Sequence, residues 1–449
     1  MNVEVRLDDS DRHRDGSAKL VVEIPETGVL RELDLSFGEL RDRCGIPDPL
    51  TLDLLLVASL CYVIDKSVKR APSLDGWTRE LEVELPVSSP KRWERVASQL
   101  NRTLGFLTGD EWSLSFREMG TVFFKEPERR RRKKEPAKKE VTHVCLFSGG
   151  LDSLTGVIDL LAGDNTSRLR LVGHYDAAGA ASAQGVLFRT LDESYPGRCD
   201  LLQMRVSHRP LEAEESTLRS RSLVFMALGI YAARAAGKDV PLYAPENGLI
   251  AINVPLDPSR SGSCSTRTMH PYFLNNLREV LGRLGVENPI VNPFELKTKG
   301  ECLAECSDAE LLAALATSTV SCSHPTRKQF WHRRGREVRN CGYCVPCLIR
   351  RASLHRVGLD AGNQYGLDVC AGEVDINHNM NDSADDFRAV LDMLNSRKTA
   401  DDFVQDILSV APVDRIRERA EMVERGFGEI RSLLEAKAVG AARRAAGVA

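Results

Sequence analysis

The sequence predicts an α/β fold in which a doubly wound parallel sheet is preceded by an α+β unit and followed by a helical tail. Three observations carry this. From residue 141 onward, strand-length apolar runs alternate with helix-length segments, as in "THVCLF" before "LTGVIDLLAG"; that alternation suits a parallel sheet with helices on both faces. In the first 125 residues, "KLVVEIP" and "RELEVELPV" alternate apolar and polar positions, the period of half-buried strands. Between 143 and 156, "HVCLFSGGLDSLTG" breaks an apolar run with two glycines before helical polarity resumes. Open parallel sheets bind ligands at such strand ends.

Taken in order, residues 1–125 form the α+β unit. "LTLDLLLVASLCYVIDKSV" has helical length and is too apolar to be exposed all round. "SPKRWERVASQLNRTLGFL" opens on a Ser-Pro start signal and keeps a helical period, and "WSLSFRE" and "TVFFKE" follow as two further strands. No catalytic constellation occurs here, so a scaffold or partner-docking domain is expected. Residues 126–140, "EPERRRRKKEPAKKE", place six consecutive basic residues between Pro127 and Pro136, the composition of a solvated linker. A nucleic-acid contact is the alternative, although no aromatic residue interrupts the run to stack a base. Within 141–360, "LRLVGHY" is a second sheet strand, "SLVFMALGIYAARAAG" a long helix and "DVPLYAP" another strand. Residues 361–449 read as a polar helical extension that packs or presents an interaction surface.

Bulk properties narrow the class. A chain of 449 residues suits two or three domains. Net charge is −3, from 61 basic and 64 acidic residues, so no global field attracts nucleic acid and such a partner is not favoured. No apolar run reaches the ~18 residues of a membrane span. The start "MNVEVRLDDSDRHRDG" is polar, unlike a signal or transit peptide. A cytoplasmic location is therefore expected.

The glycine break is a candidate phosphate loop. Gly149 and Gly150 allow a tight turn and a close backbone approach to an anion, with N–H groups up to Ser153 aimed at it from a helix N-terminus. Ser148 and Ser153 add hydroxyl donors. Asp152 repels phosphate unless a metal intervenes, so its presence suggests Mg²⁺ accompanying a nucleotide. Gly-Lys-Ser/Thr and Gly-x-Gly-x-x-Gly are both missing, so neither a Walker loop nor a dinucleotide loop is indicated.

Four of the twelve cysteines crowd together, Cys322, Cys341, Cys344 and Cys347. Cys-x2-Cys-x2-Cys plus a distant fourth thiol suits tetrahedral Zn²⁺ in a closed, structural site. An Fe–S cluster or redox-active thiols are the alternatives. Cys302 and Cys306 read as core thiols. After "PLYAP", Glu246 could accept two N–H bonds from a guanine-like edge, with Asn247 and Gly248 shaping the turn. "PSRSGSCSTRTMH" brings Arg260, Arg267 and His270 as a lid over phosphate or carboxylate, or else a solvated loop. His174, Tyr175 and Asp176 end the second sheet strand, where a nucleotide or substrate could sit.

"SGGLDS" resembles the PP-loop of the ATP pyrophosphatase superfamily, and together with the cysteine pattern the chain resembles the QueC family in order from 143 to about 357. The resemblance implies ATP bound by Ser148, Gly149, Gly150, Asp152, Ser153 and His174. "LRSRSLVFMALGIYAARAAG" is similar to the family's Arg-Asn helix, with Arg221 on the arginine and Ser222 in place of the asparagine. "LKTKGE" is similar to its Thr-Lys-Ala-Glu, with Lys299 on the lysine, and "CGYCVPCLIRRASL" to its zinc loop. The family's Tyr-Gly-Gln-Arg-His segment is here "GHYDAAGAASAQG", and its deazaguanine loop is replaced by "ENGLIAINVPLDPSRSGSCSTRTMH". The ATP half therefore carries over better than the acceptor half. The added N-terminal unit, basic linker and tail resemble the QatC-type QueC-like proteins of bacterial anti-phage defence operons.

The resemblance implies adenylation of a carboxylate, 7-carboxy-7-deazaguanine, with Lys299 and Arg221 stabilising charge at phosphorus and Asp152 facing Mg²⁺. The activated acyl group would pass to ammonia or to an amine of a protein partner encoded in the same operon. Plain 7-cyano-7-deazaguanine biosynthesis, a thiolation-type tRNA modification and a catalytically silent nucleotide-binding protein are the other readings.

Overall fold

Strict alternation builds the N-terminal strands, and continuous apolar runs build the buried ones behind the glycine loop. The computed structural model describes residues 1–126, 140–175, 178–256, 267, 269–324, 328–376 and 382–447. Asp176, Arg260 and most of the basic linker lie outside the described residues.

The N-terminal half runs β1 (Asn2–Arg12), β2 (Ala18–Ile24), β3 (Val29–Leu35), α1 (Phe37–Cys44), α2 (Pro49–Ser67), β4 (Glu80–Val87), α3 (Pro90–Glu94), α4 (Ala97–Thr108) and β5 (Glu111–Glu118). Next come β6 (His143–Leu146), α5 (Leu151–Gly163), β7 (Leu169–Tyr175), α6 (Ala178–Ser194), β8 (Cys199–Arg209), α7 (Arg221–Ala236), β9 (Leu242–Tyr243), α8 (Gly248–Ile252), α9 (Pro271–Leu284) and β10 (Ile290–Val291). The remaining helices are α10 (Lys299–Ala304), α11 (Ala309–Ala316), α12 (Lys328–Arg333), α13 (Val345–Arg356), α14 (Asp382–Asn395), α15 (Ala400–Val410), α16 (Ile416–Lys437) and α17 (Gly440–Ala445).

The strands form one ten-stranded mixed sheet in the order β10-β9-β6-β7-β8-β3-β2-β1-β4-β5. Neighbours are parallel except β1–β2, β2–β3 and β3–β8. In the parallel half β6 is central. The chain winds outward through β7 and β8, then returns to the other side of β6 for β9 and β10. The winding reverses between β6 and β9, and a crevice opens beyond the carboxyl ends of strands at such a reversal.

The expected separate N-terminal unit is corrected. β3 pairs with β8 from Glu32↔Arg209 to Leu35↔Val206, so its sheet continues that of the second half. One hydrophobic core runs under both, joining Leu55 and Tyr62 of α2 to Leu223 and Ile230 of α7. The physical reason is β8, eleven residues long, whose outer edge would otherwise leave backbone groups unpaired. The apolar breadth of α2 has the same origin: every residue from Asp53 to Asp65 is buried. A second correction concerns "TVFFKE", which contributes only a bridge from Phe124 to Ser17. Its apolar residues pack instead, with the Phe123 and Phe37 rings 4.9 Å apart.

A buried ion network ties the halves together. Arg79 Nη2 lies 2.6 Å from Asp65 and 2.5 Å from Asp110, and Arg70 Nη1 lies 2.7 Å from Asp110. Burial opposes ionisation of Asp110, yet its hydrogen bonds and charge contacts with Arg79 and Arg70 hold its carboxyl below the ordinary range. Asp65 also accepts from Ser220 Oγ at 2.6 Å, fastening the end of α2 to the residue before α7. Replacing Asp65 by Ala leaves Arg79 short of a partner, and urea denaturation is expected to show a loss of about 3–5 kcal/mol.

The C-terminal extension is packing surface. Phe387, Phe403, Phe427 and Leu433 share a core with Leu348 and Ile349 of α13. No helix among the described residues is long and apolar enough to cross a membrane.

Candidate functional site

The loop after β6 and the loop after β9 flank the reversal point. Gly149 has φ +83°, a left-handed conformation that only glycine adopts freely. Gly150 N donates to Ser148 Oγ at 3.2 Å, and Ser153 Oγ donates to Gly150 O at 3.1 Å. The two serine hydroxyls are 3.3 Å apart. Ser148 is exposed and Ser153 buried, so the turn presents one hydroxyl outward at the N-terminus of the thirteen-residue α5.

Asp152, in the first turn of α5, meets two other predicted residues, Lys299 and Asn247. Its Oδ2 accepts from Lys299 Nζ at 2.9 Å and from Asn247 Nδ2 at 2.9 Å. Asp152 Oδ1 is buried with no partner among the described residues. Asn247 also caps α8, its Oδ1 accepting from Ile250 N at 3.2 Å. Beside it, Asn292 clamps the backbone of Glu246, accepting from its N at 3.1 Å and donating to its O at 2.8 Å. Burial, with the charge of Asp152 adding, pushes the Glu246 carboxyl up to about 8, against a smaller opposing effect of Lys299. Asp152, Glu246, Asn247 and Lys299 therefore form one group at the switch point.

The Glu246 shift has a testable sign. Its folded-state value lies above that of the unfolded chain, so the folded protein holds the proton more tightly. Stability from this group is complete below about 4.5 and is lost as pH rises towards about 8. Thermal melts at stepped pH should show that decline, and Glu246→Gln should flatten it.

Arg221 and His174 form a second group one strand away. Arg221 Nε donates to His174 Nδ1 at 3.0 Å, and His174 Nε2 lies 3.2 Å from Val206 O. That pattern requires a neutral imidazole protonated on Nε2. His174 is buried and orients the guanidinium. Arg267 and His270 depart from the expected lid. Arg267 Nη1 donates to Phe106 O at 2.6 Å with its guanidinium 4.4 Å over that ring. His270 is buried, caps α9 by accepting from Tyr272 N at 3.2 Å, and is held down to about 3 by burial and then by Arg267. Both serve packing between α4 and α9, which the sequence pattern alone cannot distinguish from a lid.

The cysteine cluster is amended. Donor atoms of Cys322, His324, Cys341 and Cys344 all lie within 4.8 Å of one another, making a Cys3His set that could hold a metal such as zinc. Cys347 Sγ lies 3.8 Å from Cys341 Sγ, and Cys344 Sγ lies 4.0 Å from Cys322 Sγ. A tetrahedral ion with bonds of about 2.3 Å to sulfur needs sulfurs about 3.8 Å apart, so these spacings fit. Five donors face four positions, with His324 or Cys347 completing the shell. Thiol contacts from Cys341, Cys344 and Cys347 hold Cys322 well below the usual thiol range, and Cys322 and Cys344 raise His324 to about 9. Gly342, at φ +91°, could not carry a side chain, because a Cβ would meet Leu367 O at 2.1 Å. By contrast, burial pushes the Cys302 and Cys306 thiols up, in keeping with core positions.

This module braces the glycine loop after β6. Asn340, the residue before Cys341, accepts from Ser321 N at 2.9 Å and donates to Thr319 O at 3.2 Å. Val320 N then donates to Gly149 O at 3.0 Å. Buried Arg350 holds Thr319 Oγ1 and Ala316 O, each at 2.5 Å. Sequence reading missed Asn340, Ser321 and His324. Only His324 left a signal, its Cys-x-His spacing from Cys322. Comparison with protein-family models, curated proteins and solved structures finds no match for this chain.

Proposed function

We propose that this chain is a QueC-like, ATP-dependent ligase, most like QatC, that adenylates the carboxylate of 7-carboxy-7-deazaguanine and passes the acyl group to an amine in bacterial anti-phage defence. The observation that carries the reading is the convergence of Ser148–Ser153, Asp152, Lys299 and Asn247 at the reversal of strand order. There a helix N-terminus and Lys299 offer positive charge beside a buried carboxylate oxygen that has no partner among the described residues. That oxygen fits a divalent cation such as Mg²⁺, which would screen the polyphosphate from Asp152.

A carboxylate resists attack because it must expel oxide, and adenylation removes this obstacle. A substrate oxygen attacks the α phosphorus of ATP, the bond to the β,γ-phosphates breaks, and pyrophosphate leaves. An amine then attacks the acyl carbon, AMP departs, and an amide forms with release of one proton. Lys299 stabilises charge gathering on the phosphoryl oxygens, and Arg221, oriented by His174, does so or holds the substrate carboxylate. Glu246 contributes a carboxyl that is protonated over much of the neutral range and can donate as well as accept. Zinc held by four of Cys322, His324, Cys341, Cys344 and Cys347 would supply structure rather than chemistry, since four protein donors would leave no position for substrate.

The test incubates the chain with ATP, Mg²⁺ and 7-carboxy-7-deazaguanine, alone and with proteins encoded beside it, and reads pyrophosphate and intact masses. A substrate-dependent pyrophosphate burst with a mass gain on a partner protein is expected. Free nitrile as the sole product would transfer the chain to nucleoside biosynthesis, and no pyrophosphate under any mixture would make it a nucleotide-binding protein.

A further inference from the structure

We infer that Glu429, on the C-terminal helix α16, is a positioning residue that sets the helix bearing Lys299. It accepts from Thr298 Oγ1 at 2.5 Å through Oε1 and from Gly300 N at 3.1 Å through Oε2. Thr298 and Gly300 are the two neighbours of Lys299 in the chain, so the carboxylate holds a side-chain hydroxyl on one side of that residue and a backbone N–H on the other. Lys299 itself points away to Asp152, 2.9 Å distant. Gly300 is required for this approach, because a Cβ there would lie 2.4 Å from Glu429 Oε1.

The same helix holds the turn a second time. Arg425, one helical turn before Glu429, donates to Glu301 Oε1 at 2.7 Å and to Leu296 O at 3.2 Å. Glu301 in turn completes a capping box, receiving Thr298 N at 2.8 Å while its own N donates to Thr298 Oγ1 at 3.0 Å. A short helix of six residues would fray alone. Here its first turn is clamped from outside, while Phe427 and Ile430 on the same α16 turn anchor the clamp in a core. The C-terminal extension thus acts on the switch-point group without touching any ligand.

This inference rests on Lys299 serving the proposed adenylation, and its test uses a readout independent of activity. Lys299 is buried at 4 % exposure, so its amine should react slowly with an acylating reagent, followed site by site by mass spectrometry. Glu429→Gln and Glu429→Ala lose the two-oxygen grip, and labelling of Lys299 should rise about tenfold, the scale of losing hydrogen bonds to a charged acceptor. Thr298→Val should repeat the effect from the other side and Thr298→Ser should restore protection. Arg356→Ala removes the 2.8 Å ion pair on Glu429 but leaves its bonds to Thr298 and Gly300, and should leave labelling as in the wild type. If Glu429→Ala fails to fold, the Thr298 pair decides. Unchanged labelling in folded Glu429→Gln and Thr298→Val overturns the inference. A wild-type chain that releases no pyrophosphate yet shows the labelling change overturns the adenylation reading alone.

Discussion

Replacing Lys299 by alanine is expected to slow pyrophosphate release about 10²–10³-fold, the usual cost of removing one preorganised charge from a transition state. Under the proposed adenylation the effect should fall on kcat more than on KM for ATP, because the substitution leaves the loop hydroxyls and backbone donors between Ser148 and Ser153 in place. Lys299→Arg should fail to rescue. A planar guanidinium cannot occupy the place of a compact ammonium whose side chain is only 5 % exposed beside Asp152. Stability must be separated from chemistry, since the substitution also strands a buried carboxylate, at a cost on the order of 3 kcal/mol. The double substitution Asp152→Asn with Lys299→Ala removes the stranded charge. It should recover part of the lost melting temperature and none of the rate. Recovery of rate in the double variant would show that Lys299 acts only as the partner of Asp152.

Metal removal should produce the next largest effect. Atomic emission should find about one zinc per chain, and the double substitution Cys341→Ala with Cys344→Ala, which leaves three of the five donors, should abolish it. A strong chelator should lower the melting temperature markedly, because apparent binding energies of about 10–16 kcal/mol for structural zinc are folding energy. The consequence should reach the glycine loop after β6. Asn340 precedes Cys341 and holds Ser321 and Thr319, and Val320 holds Gly149. Amide exchange of residues 147–153 should therefore accelerate in the chelated protein before α2 or α7 loosens. Cys347→Ser and His324→Ala, compared for zinc content, identify the fourth ligand: the true one loses the ion and the other retains it.

Much of this was legible as local pattern. Ser148, Gly149, Gly150 and Ser153 announced a tight turn between a strand and a helix, because two glycines and flanking hydroxyl residues break an apolar run there. The spacing Cys341, Cys344, Cys347 announced a metal loop in the same way. β8 was not recognised, since Asp200, Gln203, Arg205 and Ser207 interrupt its apolar positions. It gains that polar tolerance by joining a parallel strand on one side and β3 on the other. Arg267 and His270 looked like ligand groups because charge in a hydroxyl-rich loop usually faces solvent. Packing against Phe106 redirected both.

Asp65, Glu429 and Asn340 left no trace, because each works through a hydrogen bond to a residue distant in sequence. Periodicity and motif spacing report only on neighbours within a turn or a strand. By itself the sequence determined the α/β class, the glycine turn and the thiol set, all of which depend on residues close along the chain. Tertiary structure alone decided that the two halves share one sheet, that His324 stands among the thiols, and that a helix 130 residues away steadies Lys299 (Thr298 and Glu429 are 131 positions apart). Those outcomes depend on which buried polar groups must find partners once the core has closed, and that condition exists only in the folded chain.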